Sequence, residues 1–344
     1  MKIRNRIASL AVTVLAAAFA AGSPASAQSL EQAFRGKTIN LYIGFAPGGS
    51  YDYFGRQVAR FLGKHVPGNP TVVPQNMPGA GSFKAANYMY SVAPKDGTAL
   101  AIVTQTIALE EALGTSGVLY KSAEFNWIGR GTAILEVTPT WFTSKAKTIE
   151  DAKHNVVPVA GTGSGSPSEG YPKLLNGVIG TQFKVITGYP GSTDGLLAME
   201  RGEVDGALTS WNTLRLSRAD WIREKKINIL VQYVLERDPD LKSVPTVVEL
   251  GKSDLDKKVL AFYASGAEVG RSFIAPPGVP QDRVKALRTA FDDMLKDKDF
   301  LGEIEKSKAE FRPASGEQMQ QFIKQTAEAP KEVIELTKKY IQGH

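Results

Sequence analysis

The chain has 344 residues, 42% hydrophobic and 22% charged, enough for two lobes of ordinary size and no sign of extended disorder. Its 41 basic side chains are interspersed with 35 acidic ones, so no nucleic-acid footprint stands out. The absence of cysteine excludes disulfides, thiolate chemistry and a lipidated mature N-terminus.

The first 27 residues read as an export signal. Lys2, Arg4 and Arg6 form a basic start, residues 8–21 an apolar Ala-rich run, and Ala25-Ser26-Ala27 a cleavage site. The run is too short to span a membrane. Removing the signal lowers the formal charge from +6 to +3, and predicts a free periplasmic protein without a lipid anchor.

In the mature chain, Ile39, Leu41, Ile43 and Phe45 alternate as in a buried strand. Pro47, Gly48 and Gly49 then turn the chain into a helix that Ser50 can cap. Residues 53–64 keep helical spacing until Pro67, Gly68 and Pro70 break it. A short strand over 71–74, a second Gly-rich turn over 76–81, a helix over 82–90 and a strand over 98–104 follow. This β-α-β-α-β run predicts a parallel sheet covered by helices, with ligands beyond the carboxyl ends of its strands.

A crossover is expected near residues 129–131, and the pattern then repeats. Strands are predicted over 156–160, 183–187 and 204–209, with helices beginning at Glu169 and Thr193. The turn over 161–168 is built from Gly, Thr, Ser and Pro, and that over 188–192 contains Gly188, Tyr189, Pro190, Gly191 and Ser192. A strand over 227–233 precedes a return to the first lobe between Pro239 and Pro245. The strand over 273–275 ends in a Pro-rich turn, and helices are predicted over 281–296, 302–308, 316–326 and 331–341. The predicted division is 28–128 with 244–344 as lobe one and 129–243 as lobe two.

Four small-residue strand-to-helix turns, two per half, could aim main-chain N–H groups and hydroxyls at one cleft. A cleft lined this way requires no arginine clamp and no metal. The three histidines, His65, His154 and His344, share no ligand spacing. Neither G-x-S-x-G nor a phosphate-binding G-x-x-x-x-G-K-[ST] loop is present. Asp52 and Asp194 could form a carboxylate pair, but helix capping or accepting from a ligand fits them better. Among the tryptophans, Trp211 is the best pocket candidate.

The segments FAPGGSYDYFGR (45–56), NMPGAG (76–81), PKDGTALAI (94–102), YPGSTDG and ERGEVDG (within 189–206), VPTVVELG (244–251) and IAPPGVPQDRV (274–284) span nearly the whole mature chain. In that order they resemble the substrate-binding receptors of tripartite tricarboxylate transporters, the Bug-type periplasmic receptors. The resemblance implies an α/β, two-lobed type II periplasmic binding protein, or Venus flytrap, each lobe a mostly parallel sheet flanked by helices. It implies capture of a small organic carboxylate (a di- or tricarboxylate, an acidic amino acid or an aromatic acid) and delivery to membrane transporter subunits. No cofactor, metal or nucleic acid is implied, and the chain is expected to be a monomer and not an enzyme.

Carried over by motif, the site residues are Phe45, Ala46, Gly49, Ser50 and Asp52, with Gln105 and Thr106 after the third strand. In lobe two they are Thr162, Gly163, Ser164 and Ser166, then Tyr189, Gly191, Ser192, Thr193 and Asp194. Where family members commonly carry Thr-Asp, this chain has Leu197 and Ala198, so that side of the pocket should differ. Two other readings share the frame: an exported hydrolase or lyase acting on a small acid, and a ligand-binding sensor subunit for a signalling kinase.

Overall fold

The computed structural model describes residues 29–307, 309–326 and 328–342. Residues 1–27, on which the export-signal reading falls, lie outside the described residues. The strands are β1 (Thr38–Ile43), β2 (Thr71–Asn76), β3 (Ala99–Ile102), β4 (Asn126–Arg130), β5 (Glu136–Trp141), β6 (Val157–Gly161), β7 (Phe183–Thr187), β8 (Gly206–Ala207), β9 (Thr209–Ser210), β10 (Ile227–Gln232), β11 (Ser272–Ala275) and β12 (Ala314–Ser315). They form two sheets, in spatial order β2-β1-β3-β11-β4-β12 and β7-β6-β8-β5-β10, with β9 also pairing to β5. The two halves therefore repeat one arrangement.

Both faces of each sheet are covered, which is why the strands read as nearly continuous apolar runs. In the first sheet Leu41, Ile43, Leu100 and Ile102 face a core with Phe54, Phe273 and Phe291. Tyr42, Ala99 and Ala101 face the other side, with Phe83, Trp127 and Ile323. In the second sheet Val157 and Val159 meet Tyr171, Leu174 and Tyr233, while Val137, Ala160 and Ala207 meet Leu196, Trp211 and Trp221.

The sheets are mixed, where the helical crossovers alone predict parallel ones. β1 pairs in parallel with β2 and β3, and β6 with β7 and β8. β11 runs antiparallel to β3 and β4, and β5 antiparallel to β8 and β10. The reason is topological. β5 and β11 are the strands that enter each sheet from the other half of the chain. They start at the edge where the parallel strands end, so they run the opposite way. The two crossing segments also pair with each other: Gly131 N–H donates to Arg271 O (3.0 Å), Arg271 N–H to Thr132 O (2.8 Å) and Ile134 N–H to Ala267 O (3.0 Å). Gly270 makes this pairing possible, because its φ is +54° and a Cβ there would meet Thr132 O at 2.2 Å.

The segment 244–344, read from sequence as a return to the first lobe, divides its helices between both sheets. Gln281–Met294 packs on β4 and the helix Ser50–Leu62 of the first sheet. Asp254–Ala264 and Lys331–Gln342 instead pack on Pro167–Ile179 and join the core of the second sheet through Val259, Tyr263, Val333 and Ile341. An amphipathic helix specifies that it needs a partner but not which one.

Gly129 lies in β4 against the fully buried Phe291, with 2.4 Å from an ideal Cβ to the ring. Replacing it by alanine forces ring and strand apart. Gly129→Ala is expected to lower stability by about 1–3 kcal/mol, read as a reduced urea midpoint at unchanged slope.

Candidate functional site

A cavity of about 40 Å³ lies between the two sheets. It lies beyond the carboxyl ends of β1 and β6, and three helices begin at its wall. Gly49 is the N-cap of Ser50–Leu62, Ser166 of Pro167–Ile179 and Gly191 of Ser192–Glu200. All three caps line the cavity. None receives a side-chain cap hydrogen bond, so the first-turn amides of these helices lack side-chain acceptors. Each helix start also carries partial positive charge. Both lobes therefore offer donor-rich ends to one small volume.

At the centre stands Arg271, only 2% exposed. Its Nε and Nη2 donate to Ser50 Oγ, the former at 3.0 Å. Its guanidinium carbon lies 3.5 Å from the centre of the Tyr51 ring, a cation–π contact, and Tyr51 stacks in turn on Phe45 with centroids 4.5 Å apart. Gln105 N–H donates to Tyr51 Oη (2.9 Å), which fixes that ring. From the second sheet comes Glu136, 5% exposed, with Oε1 3.7 Å from Arg271 Nη2. Ser210 Oγ donates to Ser50 Oγ across the lobes (3.1 Å). Burial pushes the Glu136 carboxyl up to about 7, with the nearby guanidinium pulling the other way.

Several buried polar atoms here have no protein partner: Arg271 Nη1, Glu136 Oε2, Thr209 Oγ1 and both side-chain ends of Gln105. Arg271, Glu136 and Thr209 line the cavity. Unpaired buried polar atoms are costly, so their concentration at one place marks groups set aside for something that enters.

The lobes are shut over this site by main-chain contacts between the small-residue turns. Ala46 N–H donates to Pro190 O (3.3 Å), and Gly81 N–H to Thr162 O (3.2 Å). Thr106 Oγ1 donates to Gly165 O (2.8 Å). A Cβ on Gly163 would lie 2.4 Å from Gly81 N, and one on Gly81 2.5 Å from Ser166 N.

Of the residues singled out from sequence, Phe45, Ala46, Gly49, Ser50, Thr162, Ser166, Gly191 and Ser192 line the cavity. Asp52 faces a groove outside it and is committed to Gly48 N–H, Arg56 and Asn76, so the capping reading describes it better than a ligand contact. These partners, chiefly Arg56, hold its carboxyl below the usual range against the cost of burial. Gly163, Ser164 and Tyr189 line a second outer groove, where Ser164 is exposed. Thr106 serves as the interlobe latch, and Gln105 stands behind Tyr51. Thr193 lies against Gly48, and Asp194 beside Gly191, both outside the cavity wall. Trp211 is buried beside the site with its indole N–H unpartnered.

The expectation of a site without arginine is corrected by Arg271. Sequence reasoning missed it, together with Glu136, Leu208, Thr209 and Ser210. It looked for site residues at the carboxyl ends of parallel strands. β5 and β11 run antiparallel, so they bring their amino ends to the same edge: Glu136 is the first residue of β5 and Arg271 immediately precedes β11. The available signal was a charged residue at the head of a strand just after each crossover. Among the described residues no group of three or more histidine or carboxylate side chains is arranged to hold a metal.

The family model described as "Tripartite tricarboxylate transporter family receptor" matches residues 54–338. A Cupriavidus necator protein named "UPF0065 protein in gbd 5'region" is 25% identical over 343 residues, covering 97% of this chain and 98% of the relative. The solved structure of the periplasmic binding protein BugD superposes with a TM-score of 0.71 at 21% identity, over 89% of this chain and 98% of that one. MatC from Rhodopseudomonas palustris, solved with bound malate, gives a TM-score of 0.68 at 22% identity, over 88% and 100%.

Two outcomes follow from the site's geometry. Gly163→Ala should hold the lobes apart while leaving each folded, seen as a larger radius of gyration by small-angle scattering with unchanged helix content. Glu136 bears on pH dependence. Its folded pKa is raised, so the native state holds a proton that the unfolded state releases first. Its contribution is full below about 4.5 and is lost as pH rises through about 7. Wild-type unfolding free energy should therefore fall, relative to Glu136→Gln, by a few kcal/mol (order of magnitude) between pH 5 and 8. The difference in slope between the two proteins is the readout.

Proposed function

The chain belongs to the tripartite tricarboxylate transporter receptor family, and from that premise we propose that it closes its two lobes on a small organic carboxylate and hands it to the membrane subunits of such a transporter. One observation carries the choice of ligand: three helix N-caps and a buried guanidinium with one unpartnered nitrogen line a single cavity between the lobes. A carboxylate matches that donor set in charge and in geometry. The malate reported in MatC agrees with this class of ligand.

In this reading the cavity-lining residues Phe45, Ala46, Gly49, Ser50, Thr162, Ser166, Gly191 and Ser192 surround the ligand, with Arg271 as its anchor. Gly163, Ser164, Tyr189 and Asp52 stand at the two mouths. Gln105, Thr106, Thr193 and Asp194 support the walls. Opening is a hinge motion about the paired crossing segments near Gly131 and Gly270. The moving bodies are 28–128 and 129–243, with 244–344 shared between them as its helices pack. The chain acts as a monomer in the periplasm, exported by cleavage after Ala27. It binds without turnover, the role that a transporter receptor family implies.

Thermal-shift screening of refolded, ligand-stripped protein against small organic acids should find stabilisation that grows with concentration. Arg271→Lys keeps the charge but loses the planar fork and the stacking on Tyr51. It should weaken the best acid about tenfold by calorimetry, on the order of the 1.4 kcal/mol of one charge-assisted hydrogen bond. Sugars or metal ions binding in place of acids would refute the reading.

A further inference from the structure

The formal charges at the cavity wall narrow the ligand further. Among the residues that line it, Arg271 and Glu136 are the only ones with ionisable charged side chains. When both are charged they cancel. They do not close on each other: Arg271 Nη2 and Glu136 Oε1 are 3.7 Å apart, an ion pair beyond hydrogen-bond distance. Each keeps a free end, Nη1 as an unpartnered donor and Oε2 as an unpartnered acceptor. Both side chains are more than nine-tenths buried.

A guanidinium and a carboxylate 3.7 Å apart on one cavity wall, each with one unpartnered atom, ask for a ligand with the reverse pair. Resting on the receptor reading above, we propose that the ligand is an amino carboxylic acid with a single carboxylate, its carboxylate on Arg271 and its ammonium on Glu136. Such a zwitterion has no net charge and meets two side chains whose formal charges cancel. A dicarboxylate fits worse. At pH 8, where Glu136 is largely ionised, its second carboxylate either meets that side chain as a like charge or forces it to take up a proton. Thr209 Oγ1, also unpartnered and on the same wall, supplies a further acceptor for the ammonium. Phe45, Tyr51 and Leu208 give the apolar remainder of the wall, which suits a short uncharged side chain.

The position of the two charges supports their pairing with one ligand. Arg271 heads β11 of the first sheet and Glu136 heads β5 of the second. A zwitterion bridging them joins the lobes, so it rewards closure. A ligand that contacts only Arg271 leaves the Glu136 end unpaired when the lobes shut.

The test is calorimetry on refolded wild-type protein at pH 8, where Glu136 is largely ionised. One panel holds glycine, alanine, serine and 4-aminobutyrate. The other holds malate, succinate and adipate. The expected result is that at least one amino acid binds ten times or more tightly than every dicarboxylate. Glu136→Gln should weaken that amino acid at least tenfold and narrow or reverse its advantage over malate. A dicarboxylate that binds wild-type protein as tightly as the best amino acid overturns the inference and leaves the receptor reading intact. An amino-acid affinity unchanged in a folded Glu136→Gln also overturns it. Failure of both panels to bind removes the receptor reading as well. The wild-type ranking decides the matter alone if Glu136→Gln does not fold.

Discussion

A guanidinium withdrawn from water between the two lobes is the constraint on which the arrangement depends. Burying a cation costs several kcal/mol unless its donors are met and its charge answered. Arg271 meets this demand from both sides of the cleft. Ser50 and the Tyr51 face come from the first lobe, and Glu136 from the second. In the closed form these contacts exist together. Ser210, which reaches Ser50 from the second lobe, ties the same cluster across the gap. The burial of Arg271 thus draws on both lobes, and one nitrogen of its fork is left without a protein partner.

How near the lobes come is set elsewhere, by residues that lack side chains. Gly81, Gly163 and Gly165 bring main chain against main chain, and a Cβ at any of them would collide with the opposite turn or with Phe83. Their positive φ values at 81 and 163 add a conformational reason for glycine. These turns therefore act as the seam of the cleft as well as the frame of the site. Ala46 illustrates the double use: the residue lines the cavity and its N–H donates to Pro190 O across the seam.

The mixed character of the sheets explains why charge arrives at the site at all. Parallel strands deliver loops of glycine, serine and threonine to the cleft, suited to main-chain recognition. Two of the antiparallel strands, β5 and β11, start where the parallel ones end, and each brings a charged residue to its head. Fold topology in this way combines uncharged donors, supplied by local turns, with one ion pair assembled from the two crossover segments.

Local signals carried much of this in the one-dimensional chain. Alternating apolar residues in 39–45, a continuous apolar run in 99–103, glycines at 48, 49 and 81, and the matching run in the second half sufficed to place two β-α-β-α-β units and the turns bearing Ser50, Ser166 and Ser192. These features depend on neighbours within a few residues, where backbone sterics and periodicity act. Tertiary structure alone decided three things. It brought Arg271 and Glu136 together from distant segments, because antiparallel entry of β11 and β5 is a consequence of how the chain crosses between lobes. It sent Asp254–Ala264 and Lys331–Gln342 to the second sheet, because an amphipathic face does not name its partner. It turned Asp52 toward Arg56 and Asn76 rather than into the cavity, because side-chain direction at the first turn of a helix is settled by what packs beside it.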